Sequence, residues 1–424
     1  DKMAKEGIKF TQFYSGQTVC APSRASLLTG LHQGHAQVRA NSSHLNGKVK
    51  KMTKTDDDFH GQWPLKKNTF TVGKMLQQQG YETACVGKWG LGHPLNDGDA
   101  NKQGFDLFYG FSCQVQAHNL YPRYLYRNDK KEKLEGNTRG LIGKKYSADL
   151  MDDECLKFIR KNKKKPFFLY YANPIPHLPL QVTDEHLKPY KKSWKKDKPY
   201  KGGDGYLPHS NPRAAYAAMV SHMDTGVGKI LALLKELKID NNTLVIFTSD
   251  NGPTYLGGYD RQFFNGAGGL RGHKGNLYEG GLRVPMVVRW PGKIKANTVS
   301  DHISSFWDFM ATAADLSKAK KPKTDGISFL PELLGKKQKN HDNLYWEFHG
   351  YGGWQVVRRG DWKAVRKNIH RGNMSIELYN LKKDPQEKKN VAKSNPKIVK
   401  KLAEIMKKEH EPNPYFPLKA LGDK

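Results

Sequence analysis

Short apolar segments alternate with helix-forming segments through the first 300 residues, and this alternation restricts the possible folds more than any other feature. "YETACVG" (81–87), "PFFLYYA" (166–172) and "TLVIFTS" (243–249) are almost continuously apolar, as strands buried on both faces of a sheet must be. "FTVGKMLQQQ" (70–79) carries helical spacing up to Gly80, and further helices are predicted near 147–162 and 213–237. Strand and helix in turn imply an α/β fold with a large mixed, mainly parallel sheet between helices. In such folds the chemistry collects at the carboxyl ends of the strands.

The texture changes after residue 340. "NLYWEF", "WQVVRRG", "DWKAVRK" and "IELYNL" are short strands punctuated by Gly, Asp and Asn, and the amphipathic "PKIVKKLAEIMKKEH" follows them. This reads as a small antiparallel sheet with one helix, dividing the chain into a catalytic domain (1–340) and a C-terminal subdomain (341–424). The polar segments 120–145 and 181–212 read as excursions over the active face. No apolar run approaches the roughly 20 residues that cross a bilayer, so no membrane span is expected, and no signal peptide stands at Asp1. Four cysteines without paired or zinc-finger spacing argue against a disulfide scaffold. The formal net charge of +30 suits polyanionic partners. Nucleic acid is disfavoured because no recognisable reading module is present.

Several chemically capable residues fall at strand ends. Lys88 follows the 81–87 strand in "GKWGLGH", and His177 follows 166–172 in "NPIPHLPL". Asp250 and Asn251 in "TSDNGPT" offer adjacent oxygen ligands for a hard cation, and Lys274 lies in the Gly-flanked loop "RGHKGNLYEGG". In "SGQTVCAPSRASLLTG", Pro22 suits a first helical turn and Gly30 a helix end, which puts Cys20 at a helix amino terminus. Free amides there and the Arg24 guanidinium favour an anionic ligand such as a phosphate or sulfate ester. Only three residues separate Cys20 from Arg24, too few for a thiol phosphatase.

C-A-P-S-R-A-S-L-L-T-G resembles the signature of the formylglycine-dependent sulfatases, and "GKWGLG", "TSDNG" and "GHKGNLYEGGLRVP" follow in that family's order. The resemblance implies an alkaline-phosphatase-like α/β domain, one bound calcium ion and hydrolysis of a sulfate monoester. It also implies oxidation of Cys20 to formylglycine by a dedicated formylglycine-generating enzyme, so that its hydrate is the nucleophile. Arg24 would then hold the hydrate, Lys88 and Lys274 would neutralise sulfate oxygens, His177 would assist at the leaving oxygen, and Asp250 and Asn251 would bind calcium. The family's second motif commonly has His where this chain has Gly90; His118, in "CQVQAHNLYP" after the apparent sheet-edge stretch "GFDLFYGF", is the expected substitute. Charge and proximity to the motifs make His35, Arg39, Trp89 and Arg123 candidate substrate contacts.

The expected substrate is a sulfated glycan, an algal galactan or glycosaminoglycan cleaved at a terminal sugar, which places the enzyme in the periplasm or outside the cell. A phosphonate or phosphodiester hydrolase of the same superfamily and a non-catalytic polyanion-binding protein are the alternatives. Family members open with an apolar strand ending in two adjacent Asp ligands, whereas "DKMAKEGIKFTQFYS" resembles the helix and strand that come after it. The expectation is therefore a truncated sequence, half the calcium shell, and weak or no activity for these 424 residues alone.

Overall fold

The computed structural model describes residues 1–45, 48–50, 62–194, 197–203 and 205–424. The predicted alternation is present: helix Val72–Gln78, strand Glu82–Lys88, helix Ser147–Asn162, strand Phe167–Ala172, helix Pro212–Glu236 and strand Val245–Thr248. Thr71 starts the first of these helices by accepting a hydrogen bond from the Lys74 amide, as an N-cap should. Pro212 opens the long helix at the position where a missing N–H costs nothing.

The strands form two large sheets. One runs in the order Lys130–Lys133, Tyr124–Arg127, Leu107–Phe111, Glu82–Lys88, Phe167–Ala172. The other runs Thr298–Ser300, Ile8–Tyr14, Arg283–Arg289, Val245–Thr248. Glu82–Lys88 is parallel to both of its neighbours. Parallel pairing is less dominant than the sequence suggests, because Arg283–Arg289 lies antiparallel to Ile8–Tyr14 and to Val245–Thr248. Residues 120–145 are also more than an excursion: Tyr124–Arg127 and Lys130–Lys133 extend the first sheet as a hairpin. Leu107–Phe111 is consequently interior to the sheet and not its edge.

Among the described residues, Phe167–Ala172 pairs only with Glu82–Lys88, and Val245–Thr248 only with Arg283–Arg289. Both are the terminal strands of their sheets among the described residues. Their side chains are largely half-buried, whereas those of Glu82–Lys88 are almost all buried. Both strands rest on the same helices, with Phe167, Leu169 and Val245 packing around Ile159, Leu233 and Leu234.

The C-terminal part is a four-stranded antiparallel meander, Leu344–Phe348, Trp354–Arg359, Trp362–Lys367 and Glu377–Asn380. Helix Pro396–Lys408 buries Leu402 and Met406 against Tyr345, Val357 and Leu378 of that sheet. The meander shares its core with the rest of the chain. The Trp346 ring lies 5.5 Å from Tyr14 and 5.3 Å from Trp307, and its indole N–H donates to the Ser15 carbonyl at 3.0 Å.

Candidate active site

Cys20 is the first residue of helix Cys20–Thr29, which ends at Gly30 in the left-handed conformation (φ 69°). The approach to this helix is tied to the Lys274 loop: Thr18 Oγ1 donates to the Asn276 carbonyl (2.9 Å) and accepts from the Gly275 amide (2.9 Å). The Ala21 amide donates to Asn41 Oδ1 at 2.9 Å, which fixes the first turn. These bonds hold two segments more than 250 residues apart in sequence in fixed relation.

Cys20 Sγ lies 3.4 Å from Lys88 Nζ, 3.5 Å from Lys274 Nζ and 3.8 Å from Asn251 Oδ1. Arg24 reaches across with its Nε and Nη2 on Asp250 Oδ2 (3.0 and 2.8 Å), donates to the Lys88 carbonyl, and approaches the Tyr170 hydroxyl at 3.5 Å. Lys88 arrives from the end of its strand. Gly87 just before it has φ 118°, and a Cβ there would sit 2.1 Å from the Ala172 carbonyl oxygen, so the two strands can approach only with glycine at this point. Lys274 Nζ donates to His177 Nε2 at 2.8 Å, while His177 Nδ1 donates to the Leu178 carbonyl at 2.7 Å and so carries the ring proton.

Three cations and one carboxylate surround the sulfur, and the titration behaviour follows. Burial opposes ionisation of Cys20, yet Lys274 and Lys88 hold its pKa below the ordinary thiol value. Burial likewise opposes the Asp250 carboxylate, and Arg24 with the two lysines overcomes it and lowers the pKa. His177 is driven well below the usual imidazole range by burial and by the charges of Lys274 and Lys88, so it is neutral here. The pocket is preset for an anion, with a neutral imidazole beside it as a proton acceptor at Nε2.

The fold thus gathers Cys20, Arg24, Lys88, His177, Asp250, Asn251 and Lys274 in one pocket. His118 reaches the same pocket from the turn Gln116–His118, its ring stacked 5.3 Å from His177 at 14°. Asp250 and Asn251 bring two oxygen donors to the Cys20 side. Such hard donors fit calcium in kind but supply only part of the six to eight oxygens it takes.

Three of the four candidate substrate contacts are engaged elsewhere. Trp89 is buried (1% exposed), with its indole N–H on the Gly98 carbonyl at 2.7 Å. Arg39 is 3% exposed and locked onto Glu347, with the Gly34 and Glu411 carbonyls at 2.7 Å each. His35 pairs with Asp325 at 2.9 Å. Because these groups are already satisfied or covered, the sequence expectation for them is corrected. Arg123 is exposed, and its Nε donates to the Thr138 carbonyl at 3.3 Å.

Three site residues escaped the sequence reading. Tyr170 meets Arg24 from a strand whose apolar run hides it. Tyr206, presented by a tight Gly203–Tyr206 turn, sets its ring 5.1 Å from His118 and 6.2 Å from His177; the glycine-rich "KGGDGY" is the only sequence signal. Gln114 occupies the space next to Gly90. A Cβ on Gly90 would lie 1.9 Å from Gln114 Nε2, and the Gly90 φ of 76° itself disfavours a side chain.

Residues 1–319 match the family described as Sulfatase, and residues 272–412 match the family described as N-sulphoglucosamine sulphohydrolase, C-terminal. The dog N-acetylgalactosamine-6-sulfatase is 31% identical over 370 residues, covering 82% of this chain; the chain spans 63% of that relative's length. The N-acetylgalactosamine-6-O-sulfatase of Bacteroides thetaiotaomicron is 26% identical, covering 96% of this chain and 86% of its own. Among solved structures, Ps i-CgsB superposes with a TM-score of 0.77 at 28% identity, covering 97% of this chain and 87% of its own; a second structure of it holds k-i-k-neocarrahexaose. The fold and pocket define the alkaline phosphatase superfamily. Within it, the chain belongs to the sulfatase family.

Proposed function

We propose that this protein is a sulfuric ester hydrolase that removes a sulfate monoester from a terminal sugar of a sulfated galactan or glycosaminoglycan. The observation that carries the reading is the placement of Cys20 Sγ between Lys88 and Lys274 at 3.4 and 3.5 Å, with the Arg24–Asp250 pair alongside. The N-acetylgalactosamine-6-sulfatase relatives support a sulfated sugar, and the k-i-k-neocarrahexaose complex of Ps i-CgsB supports a carbohydrate ligand. The basic composition favours an anionic polymer, and a polymer of that kind is met in the periplasm or outside the cell.

In this reading Cys20 is matured by a formylglycine-generating enzyme, and position 20 then carries a hydrated aldehyde. That hydrate would supply one hydroxyl to bond sulfur as the ester S–O bond breaks and the sugar alcohol leaves, and a second hydroxyl whose deprotonation would return the aldehyde and release sulfate. Arg24 orients this group, and Lys88 and Lys274 hold the sulfate oxygens. The lysine-bound proton at His177 Nε2 is the one available to the leaving oxygen, with His118 stacked behind to fix the imidazole plane. Asp250 and Asn251 would hold calcium, which when bound acts as a Lewis acid on the ester.

The test is hydrolysis of sulfate and phosphate esters of the same sugar by protein co-expressed with a formylglycine-generating enzyme, with mass spectrometry of the Cys20 peptide. Release of sulfate that requires the aldehyde supports the reading. Preferential release of phosphate or phosphonate, or glycan binding retained while Cys20 stays an unmodified thiol in the co-expressing host, overturns it.

A further inference from the structure

The two histidines of "TGLHQGH" follow directly on the Cys20 helix, and their rings pair with Glu409 and Asp325. We propose that His32, His35 and Asp325 bind one divalent transition metal ion of the zinc class, with Glu409, which meets His32 Nε2, as the neighbouring fourth donor, so that the ion fastens the segment after helix Cys20–Thr29 to the end of helix Pro396–Lys408.

The donor spacing carries the proposal. His32 Nε2 lies 3.1 Å from Glu409 Oε2 and 3.8 Å from Asp325 Oδ2, and His35 Nδ1 lies 2.9 and 3.0 Å from the two Asp325 oxygens. Ligands bound at about 2.0–2.2 Å on a tetrahedron stand roughly 3.3–3.6 Å apart, and the observed spacings bracket that distance. The ligand atoms of His32, His35 and Asp325 all fall within 4.8 Å of one another. Two neutral imidazoles and two carboxylates balance a 2+ ion, and the nitrogen donors favour zinc-like ions over calcium.

The frame around the donors is already built. The amides of His35 and Ala36 both donate to the His32 carbonyl (3.0 and 2.8 Å), which turns the two imidazoles to one side with ring centres 4.1 Å apart. Asp325 is anchored through its own amide to the Gly30 carbonyl (2.9 Å) and accepts from the His32 amide (2.9 Å). With His35 bound through Nδ1, its Nε2 faces Glu411 at 3.8 Å, in the position of an outer carboxylate that orients a metal-bound histidine. His32 Nδ1 now accepts from the Gly34 amide at 3.1 Å. Metal at Nε2 moves the ring proton to Nδ1 and gives up that one hydrogen bond, while the other displaced protons leave to solvent. The His35 side chain, 26% exposed, provides the way in.

The experiment uses the full chain with Cys20→Ser, so that no thiolate competes for metal. Co2+ is expected to bind at one per chain with the intense visible band of tetrahedral cobalt, to be displaced by Zn2+, and Zn2+ is expected to raise the thermal midpoint. His35→Gln should weaken Co2+ binding by more than the 10- to 100-fold that loss of an outer-shell partner costs. Asp325→Asn, which keeps an acceptor for the His32 amide and so protects the fold, should do the same, with circular dichroism reporting that each variant is folded. Absence of the cobalt band, or a band and affinity that persist in either folded variant, overturns the proposal and leaves the four side chains as ion pairs only.

Discussion

Gly90 and Gln114 compete for a single space. The amide of Gln114 is 3% exposed, neither its oxygen nor its nitrogen has a hydrogen-bond partner among the described residues, and it fills the volume that a side chain at position 90 would need. An orphaned buried amide costs about 1–3 kcal/mol. Gln114→Met is accordingly expected to raise stability by about 1 kcal/mol in urea unfolding. Gly90→Ala should lower it by about 2 kcal/mol, through left-handed strain and the collision with Gln114. If the amide is retained to meet substrate, Gln114→Met will also raise KM. An unchanged KM confines its role to the fold.

Tyr206 offers a sharper separation of binding from chemistry. Its ring is half-buried against His118 and His177, and burial pushes its hydroxyl pKa up, so it remains a neutral phenol at working pH. Removal of the ring in Tyr206→Ala should raise KM for a sulfated sugar about tenfold or more, in line with loss of an aromatic contact worth about 1–2 kcal/mol. Tyr206→Phe should change KM little if stacking is the main contribution. An equal loss in both variants would assign the effect to the hydroxyl.

Arg39 was expected at the substrate and lies instead between the two parts of the chain. It joins Glu347, whose other oxygen takes hydrogen bonds from Tyr345 (2.6 Å) and His410 (2.7 Å). Removing one partner of a buried ion pair costs about 3–5 kcal/mol because the other charge is stranded. Arg39→Met should therefore lower the thermal midpoint sharply while leaving KM of the folded fraction unchanged. A raised KM at unaltered stability would return Arg39 to the substrate.

The strand ends were legible because an apolar run marks a buried strand and its last residue marks the active face; Lys88, His177 and Asp250 follow from that rule alone. Pro22 and Gly30 bracketed the Cys20 helix in the same way. Periodicity carries no information about the direction of a neighbouring strand, and for that reason the antiparallel insertion of Arg283–Arg289 was not visible. Nor does a charge announce its partner. Glu347 lies 308 positions from Arg39, and His35 finds Asp325 at a separation of 290. Proximity in sequence to a motif therefore misplaced both side chains. Gln114 and Tyr206 belong to no motif, and only the packing exposes them.

The edge of the second sheet provides a prediction with a definite pH sign. Arg289, almost fully buried, forks onto Asp240 through Nη1 and Nη2 (2.6 and 2.7 Å) and reaches Glu6 through Nε (2.5 Å), binding the first helix, the strand and the turn before Val245 together. The hydrogen bond from Arg289 lowers the Asp240 pKa below its ordinary value. A carboxylate with a depressed folded pKa adds stability above its unfolded pKa and loses it as pH falls through the folded one. The stability gap between the native protein and Asp240→Asn should therefore hold at about 2 kcal/mol from pH 8 to roughly pH 5. It should close progressively below about pH 4, where the unfolded chain takes up the proton that the native pair refuses. Urea melts of both proteins across this range measure it directly, and a gap that stays constant down to acid pH would show that the ion pair has no part in holding this edge.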